Sequence, residues 1–241
     1  MDLNFTRMVP VKSYQHVVEQ IQTAICDGTL QEGERLPSEL KLKDLFNTSR
    51  GTVREALRVL EQKGLVSIRT GVKGGAVVKE ANTEAMSDSM ALLIRHRKVS
   101  LVHLADFRTF LEGYAAERAA ALGNREEIAK LKNIISSIRQ HVENDPRDWG
   151  EFHRLDAMFH RKLAEMSENP LILANLVTVH ENIHGYFQNY LPFSRELLLE
   201  DFEDLCQIAE AVEKGECEKA GEAARQHIAK FSKYMEARRT A

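Results

Sequence analysis

Apolar residues recur at helical spacing along the start of the chain. In residues 13–27, SYQHVVEQIQTAICD, they fall at Val17, Val18, Ile21 and Ile25, and Gly28 closes the segment. LPSELKLKDLF predicts a second helix, with Ser38 as N-cap, Glu39 in the first turn, and Leu42, Leu45 and Phe46 as a narrow apolar stripe. NTS reads as a short polar turn, after which Ser49 caps a third helix. That helix buries Val53, Ala56, Leu57 and Leu60 and stops at Lys63-Gly64. Leu65 to Ile68 and Ala76 to Val78 then read as two short strands joined by the glycine-containing turn T-G-V-K-G-G, a hairpin.

Past residue 80 the pattern changes. Glycine becomes rare, strand signals vanish, and helical periods follow one another to the end. One helix face carries Ile128, Leu131, Ile135, Ile138 and Val142, and another Phe152, Leu155, Phe159, Leu163 and Met166. A later face carries Leu197, Leu198, Phe202, Leu205, Ile208 and Val212. About six helices are predicted, broken near Asn124, Asp145-Pro146, Asn169-Pro170, Pro192 and Gly215. The expected fold is therefore mostly α. An N-terminal winged helix-turn-helix with a small β-wing (1–80) leads through a linker and connecting helix (81–98) to an all-α helical bundle (99–241).

Composition adds limits. A chain of 241 residues with 43% hydrophobic and 29% charged residues suits two soluble domains. No window is long and apolar enough for a membrane span, and MDLNFTRMVPVK lacks the apolar core of a signal peptide. Cys26, Cys206 and Cys217 are scattered, which argues for a reducing cytoplasm and against a disulfide framework.

Charge is what turns the first domain into a functional candidate. The chain carries −3 overall, yet Lys41 to Lys79 holds nine basic residues against three acidic. A basic segment on an acidic chain points to a polyanionic partner for that segment. Arg50, Arg54 and Arg58 repeat every four residues, so they climb the face of the third helix opposite its apolar side. A helix presented in this way fits the major groove of B-DNA. Ser49, Gly51 and Thr52 at its N-terminus offer small side chains and backbone N–H groups to a phosphate. Arg69 and Lys73 lie on the wing, where Gly71, Gly74 and Gly75 permit a tight turn. The bland alternative for the arginines is a solvated surface stripe.

These residues also carry a family resemblance. Gly28, Leu30, Gly33 and Leu36-Pro37-Ser38-Glu39, followed by S-R-x-x-V-R-E-A-L-x-x-L-E-x-x-G-L-V from Ser49, resemble the DNA-binding domain of GntR-type bacterial repressors over residues 11–80. The resemblance implies DNA contacts by Arg50, Arg54 and Gly71. Family members often place an arginine after the Ser-Glu pair; here Leu40 stands there with Lys41 beside it, so Lys41 is the candidate for that contact.

The remainder resembles the ligand-binding bundle of the FadR branch of these regulators, over most of residues 95–235. The carrying motifs are DFRTFLEGYAAERAA from Asp106, F-x-x-L-D-x-x-F-H from Phe152, E-N-P-L from Glu168 and A-V-E-K-G-E…A-x-x-H-I from Ala211. In many relatives an aspartate and three histidines bind a divalent metal, often zinc, which helps hold a small carboxylate effector. Asp156, His160 and His227 match three of those positions, and Leu205 stands at the fourth. His184, or else His180, on the helix after Asn169-Pro170 is a candidate to complete the set or meet the effector. Asp156 and His160 are four apart and share one helical face, which suits paired metal ligation; a buried polar cluster without metal is the alternative. The resemblance also implies that Arg108 meets the effector's carboxylate, the alternative being an internal pair with Glu112 or Glu151.

The resulting expectation is a cytoplasmic, ligand-responsive transcriptional regulator of the repressor type, not an enzyme. It would bind a pseudo-palindromic double-stranded DNA operator as a homodimer, under control of a small organic acid and a divalent metal, with no membrane partner. One rival is a metal sensor whose effector is the ion itself. The other is a metal-dependent hydrolase, for which the chain offers no H-E-x-x-H, nucleophile elbow or phosphate loop.

Overall fold

A computed structural model describes residues 13–69, 74–79, 84–96, 99–191 and 193–239, without side chains at 84–86, 184–190 and 239. The chain divides into two compact units, 1–86 and 87–241. The first contains α1 (Ser13–Cys26), α2 (Glu39–Leu45), α3 (Arg50–Gln62), β1 (Val66–Arg69) and β2 (Gly75–Val78). The strands pair antiparallel, with Val66 opposite Val78 and Arg69 opposite Gly75. Both begin one residue away from the sequence expectation. The segment 33–36 lies along the free edge of β2, with Gly33 N–H donating to Val78 O at 3.0 Å and Leu36 N–H to Ala76 O at 2.9 Å.

Local chemistry sets the helix ends. Ser38 and Ser49 accept from the backbone N–H of Lys41 and Thr52, as N-caps do. Gly64 takes φ +73° past α3, and Leu65 N–H returns to Leu60 O at 3.0 Å, which stops the helix and turns the chain into β1. Val17, Val18, Ile21, Leu42, Val53, Ala56, Leu57, Leu60, Val66 and Val78 form the core of this unit. Leu45 does not join them: it is 65% exposed, so α2 contributes Leu42 with Phe46 beside it.

The second unit is helical throughout its described residues. α4 (Glu84–Arg95) crosses the division between the units, and its C-terminal part belongs to the bundle. Ile94 is buried there with Leu101, Leu104, Val179, Ile183 and Phe231, and Arg95 Nε donates to Asn182 Oδ1. α5 (Leu101–Leu122), α6 (Arg125–Asn144), α7 (Trp149–Met166), α8 (Pro170–Tyr190), α9 (Arg195–Glu213) and α10 (Cys217–Arg239) follow, one for each predicted helix. Ser100, Asn124, Asp148, Asn169 and Ser194 each accept backbone N–H bonds at the starts of these helices. α5 and α10 run unusually close together, since a Cβ at Gly221 would stand 2.4 Å from Glu117 Cγ. Phe152, Phe159, Leu163, Leu198, Leu205, Ile208 and Val212 fill the main core. Among the described residues no helix is long and apolar enough to cross a membrane.

Candidate functional sites

The first candidate is the outer face of α3. Its buried side is taken by Val53, Ala56, Leu57 and Leu60, which forces Arg50, Arg54 and Arg58 outward into solvent. Ser49 Oγ also lies 2.9 Å from Thr52 Oγ1, so the residues that cap α3 stand at its exposed N-terminus. A Cβ added at Gly51 would meet only the Ser49 Oγ, at 3.6 Å, beyond its own helix backbone, so the backbone can be approached there. Lys41 on α2 and Arg69 on β1 are exposed as well. Gly71 and Lys73, the remaining wing candidates, lie outside the described residues.

One acidic side chain organises this face. Glu39 Oε2 accepts from Arg50 Nε at 2.8 Å, and Glu39 Oε1 stands 3.7 Å from Arg54 Nε. A single carboxylate from α2 therefore spans the inner edges of two guanidinium groups on α3. The contacts run through the Nε atoms, and both arginine side chains stay mostly exposed. No local period reveals this pairing, because the partners stand eleven residues apart.

The second candidate is a polar cluster buried in the bundle, drawn from five helices. Arg108 and Glu112 come from α5, Asp156 and His160 from α7, His180 from α8, Asp201 from α9 and His227 from α10. His160 is 1% exposed and central. Its Nδ1 lies 2.5 Å from Glu112 Oε2 and its Nε2 lies 3.2 Å from Asp156 Oδ1. The rings of His180 and His227 stack on it at centroid distances of 5.0 and 5.2 Å. His227 Nδ1 faces Asp204 Oδ2 at 3.4 Å and Asp201 Oδ1 at 3.6 Å, and Lys230 Nζ holds both oxygens of Asp204 at 2.8 Å.

Burial and charge compete throughout this cluster. Burial opposes a charge on His160, yet the carboxylates of Glu112 and Asp156 outweigh it and push the imidazole up to about 10. Burial would likewise raise Glu112, but Arg108, His160 and His180 reverse this and hold it well below the usual carboxylate range. Asp156 is held low against burial, chiefly by His160. Asp201 goes the other way: burial, reinforced by the negative charge of Asp156, raises it well above its ordinary value. Desolvation lowers His180 and His227.

These residues suit a cation. Two ligand groups converge within 4.8 Å, Asp156 with His160 and His227, and Glu112 with His160 and His180. Asp156 Oδ1, both nitrogens of His160, His180 Nε2 and Asp201 Oδ1 are buried without a hydrogen bond, although charged neighbours are close. Atoms brought together at contact distance but off hydrogen-bond alignment are what a divalent ion would satisfy. A cavity of about 310 Å³ between α7 and α8, lined by His153, Arg154, Asp156 and His180 among others, reaches this cluster at Asp156.

Asp156, His160 and His227 come together. Leu205 is fully buried in the apolar core and supplies no ligand atom. His180, the subordinate choice on α8, faces inward onto His160, while the side chain of His184 lies outside the described residues. Arg108 is 3% exposed and donates to Glu112 Oε1 at 2.7 Å, the internal pairing that the sequence left open; Glu151 is taken by Arg154. Asp201 and Asp204 were missed. The signal for Asp201 was present: in the α9 stripe Leu198, Leu205, Ile208, Val212, it occupies the core-facing position between the first two.

Residues 13–78 match the family described as bacterial regulatory proteins, gntR family, and residues 103–230 match the FCD domain. The chain belongs to the FCD-containing GntR regulators. Among its curated relatives is the HTH-type transcriptional repressor NanR of Cronobacter sakazakii, 33% identical over 164 residues, covering 68% of this chain and 62% of that protein. The NanR repressor of Escherichia coli O127:H6 is 34% identical over 68% of this chain and 61% of its own length. The chain thus spans about three fifths of the curated relatives it matches. Among solved structures, Streptococcus agalactiae GntR superposes with a TM-score of 0.61 at 21% identity, over 91% of this chain and 99% of that one. That likeness is one of fold. The gntR family is described as regulatory proteins and the NanR relatives as transcriptional repressors.

Proposed function

We propose that this GntR-family protein is a DNA-binding transcriptional repressor. It acts as a homodimer on a pseudo-palindromic operator, and a small carboxylate bound in the helical bundle beside a divalent cation controls it. The observation that carries the DNA reading is the capped α3, whose buried side turns Arg50, Arg54 and Arg58 into solvent. Arg fits guanine edges in the major groove, and phosphate contacts from Lys41, Arg69 and the α3 N-terminus would set its register. The repressor character follows the NanR relatives, which are described as repressors.

Asp156, His160 and His227 would hold the cation. When bound it would supply positive charge at the centre of the cluster and a point of attachment for an anionic effector. Arg108 keeps Glu112 charged behind His160 rather than standing free for the effector. The rival in which the ion alone is the effector gains support from the depth of the cluster.

Genomic fragments selected on the purified protein test this reading. A selected duplex should outcompete random DNA by at least about 10³-fold. Affinity should fall steeply between 50 and 200 mM salt. An acid that shifts this binding only in the presence of metal would support the effector reading, whereas metal alone acting fully would favour the ion sensor. Equal affinity for selected and random duplex would remove the repressor reading.

A further inference from the structure

α2 turns two leucines into solvent, Leu40 at 62% exposure and Leu45 at 65%, while Leu42 is buried in the core with Phe46 packed against it. Leu40 directly follows Glu39, whose carboxylate reaches Arg50 Nε at 2.8 Å and stands 3.7 Å from Arg54 Nε. Consecutive Cα atoms are about 3.8 Å apart, so Leu40 stands one short step from the carboxylate that ties α2 to the arginine face of α3. Lys41 comes next, exposed as well, with its backbone N–H donated to Ser38 Oγ at 3.3 Å. A helix turns about 100° per residue, which sets Leu40 nearly opposite the buried Leu42. Leu45 lies at the other end of α2 and about 140° around it from Leu40.

The alkyl chain of Leu40 takes no part in the core. On a face that meets DNA, phosphate and sugar oxygens offer it no partner. The polar edges of the bases would lose water against it without a hydrogen bond in return. One group in the major groove is apolar, the C5-methyl of thymine. We infer that Leu40 is a specificity-determining residue of the DNA-binding face, and that its side chain packs on a thymine methyl in each half-site of the operator, beside the bases that Arg50 and Arg54 read. The inference rests on the DNA reading above and adds a base preference to it. Lys41 carries charge to the neighbouring phosphate and so fixes the register in which Leu40 meets the groove.

Replacing thymine by deoxyuridine removes that methyl and keeps every hydrogen-bonding group of the base pair. A duplex selected on the purified full-length protein is remade with uracil at each thymine in turn, in both half-sites together. Each version is titrated by anisotropy against wild type, Leu40→Ala and Leu45→Ala. At one thymine position, uracil should weaken wild-type binding about 3–5-fold per half-site, as expected for one methyl group taken out of water. Leu45→Ala should show the same loss. Leu40→Ala should bind the unmodified duplex more weakly by at least that factor and lose nothing further from uracil at that position. Its melting curve should match wild type, because the side chain it truncates is mostly exposed. A uracil profile in Leu40→Ala identical to that of wild type would overturn the inference. Equal weakening of selected and random duplexes by Leu40→Ala would overturn it too, by reducing Leu40 to a general contact. Failure of the wild-type protein to prefer the selected duplex over random competitor would instead remove the DNA reading on which the inference stands.

Discussion

Glu39 on α2 and Arg50 on α3 meet at 2.8 Å across the turn that joins their helices, and the second oxygen of Glu39 turns to Arg54. The pair is solvent-exposed, so its stabilising contribution is only about 0.2–1 kcal/mol. Its greater effect is on where the guanidinium groups point and on how freely they meet phosphate. Glu39→Gln should leave the melting temperature within a few degrees of wild type. It should also raise affinity for random duplex about 2–5-fold and narrow the gap between operator and competitor. Anisotropy titrations with both duplexes would show this, and identical discrimination in the variant would confine Glu39 to a helix-start role.

Arg54 and Lys79 should separate in the same assay. Arg54 projects from the middle of the exposed stripe of α3, whereas Lys79 follows β2 on the wing. Losing a bidentate base contact costs about 1–3 kcal/mol and relaxes preference at that base pair. Arg54→Ala should therefore flatten the footprint at one position in each half-site. Lys79→Ala should weaken all duplexes alike and reduce the salt slope by about one. A sharp footprint retained by Arg54→Ala would take that residue off the reading surface.

Acid sensitivity should trace in part to Glu127. Hydrogen bonds from Lys130 and Lys162 outweigh desolvation and hold its carboxyl at about 2, whereas an unfolded chain has an ordinary glutamate near 4.5. A depressed carboxyl stabilises the fold above the unfolded value and loses that contribution as pH falls toward the folded one. Stability should thus be flat above about pH 5 from this source and decline between 5 and 2. Glu127→Gln should shallow the decline. Because it also strips a partner from the buried Lys162, it should lower stability at neutral pH by about 1–3 kcal/mol. Urea titrations at pH 7 and pH 3.5 measure both effects.

Arg108 and Glu112 should behave as a unit. Both side chains are almost fully buried and the bond between them is short, so removing Arg108 takes from the buried Glu112 its largest source of positive charge and leaves it only the two histidines. Arg108→Met should destabilise the protein by about 3–5 kcal/mol, and Arg108→Met with Glu112→Leu should recover much of that loss. A single-variant loss below about 1 kcal/mol, read by denaturant unfolding, would contradict the pairing.

Legibility from sequence followed the range of each interaction. Ser38 and Ser49 cap helices through bonds to residues three positions on, and a local pattern exposes such bonds. The stripe of α3 was equally plain, because the period that buries Val53, Ala56, Leu57 and Leu60 exposes the arginines. Leu45 misled for the same reason. It fits a helical period on α2, but that helix is seven residues long and buries only Leu42, and a period cannot show how wide its covering surface is.

In the bundle, Asp156 and His160 were visible together because they lie one turn apart. Asp204, paired with His227 across 23 residues, and His180, paired with Glu112, depend on helices meeting in space. Spacing along the chain carries no record of those meetings. Their charges also hid among the many acidic residues that any solvated helix face carries.

The junction of α5, α7, α8, α9 and α10 around His160 has a mechanical consequence. Most of the bundle's interior is hydrocarbon, which fixes shape through volume and answers poorly to small chemical changes. At this one place, five helices each commit a charged or titratable side chain to a common point. A guest that alters the charge there by a single unit acts on all five supports at once, so even a molecule of a few atoms could deform the whole bundle.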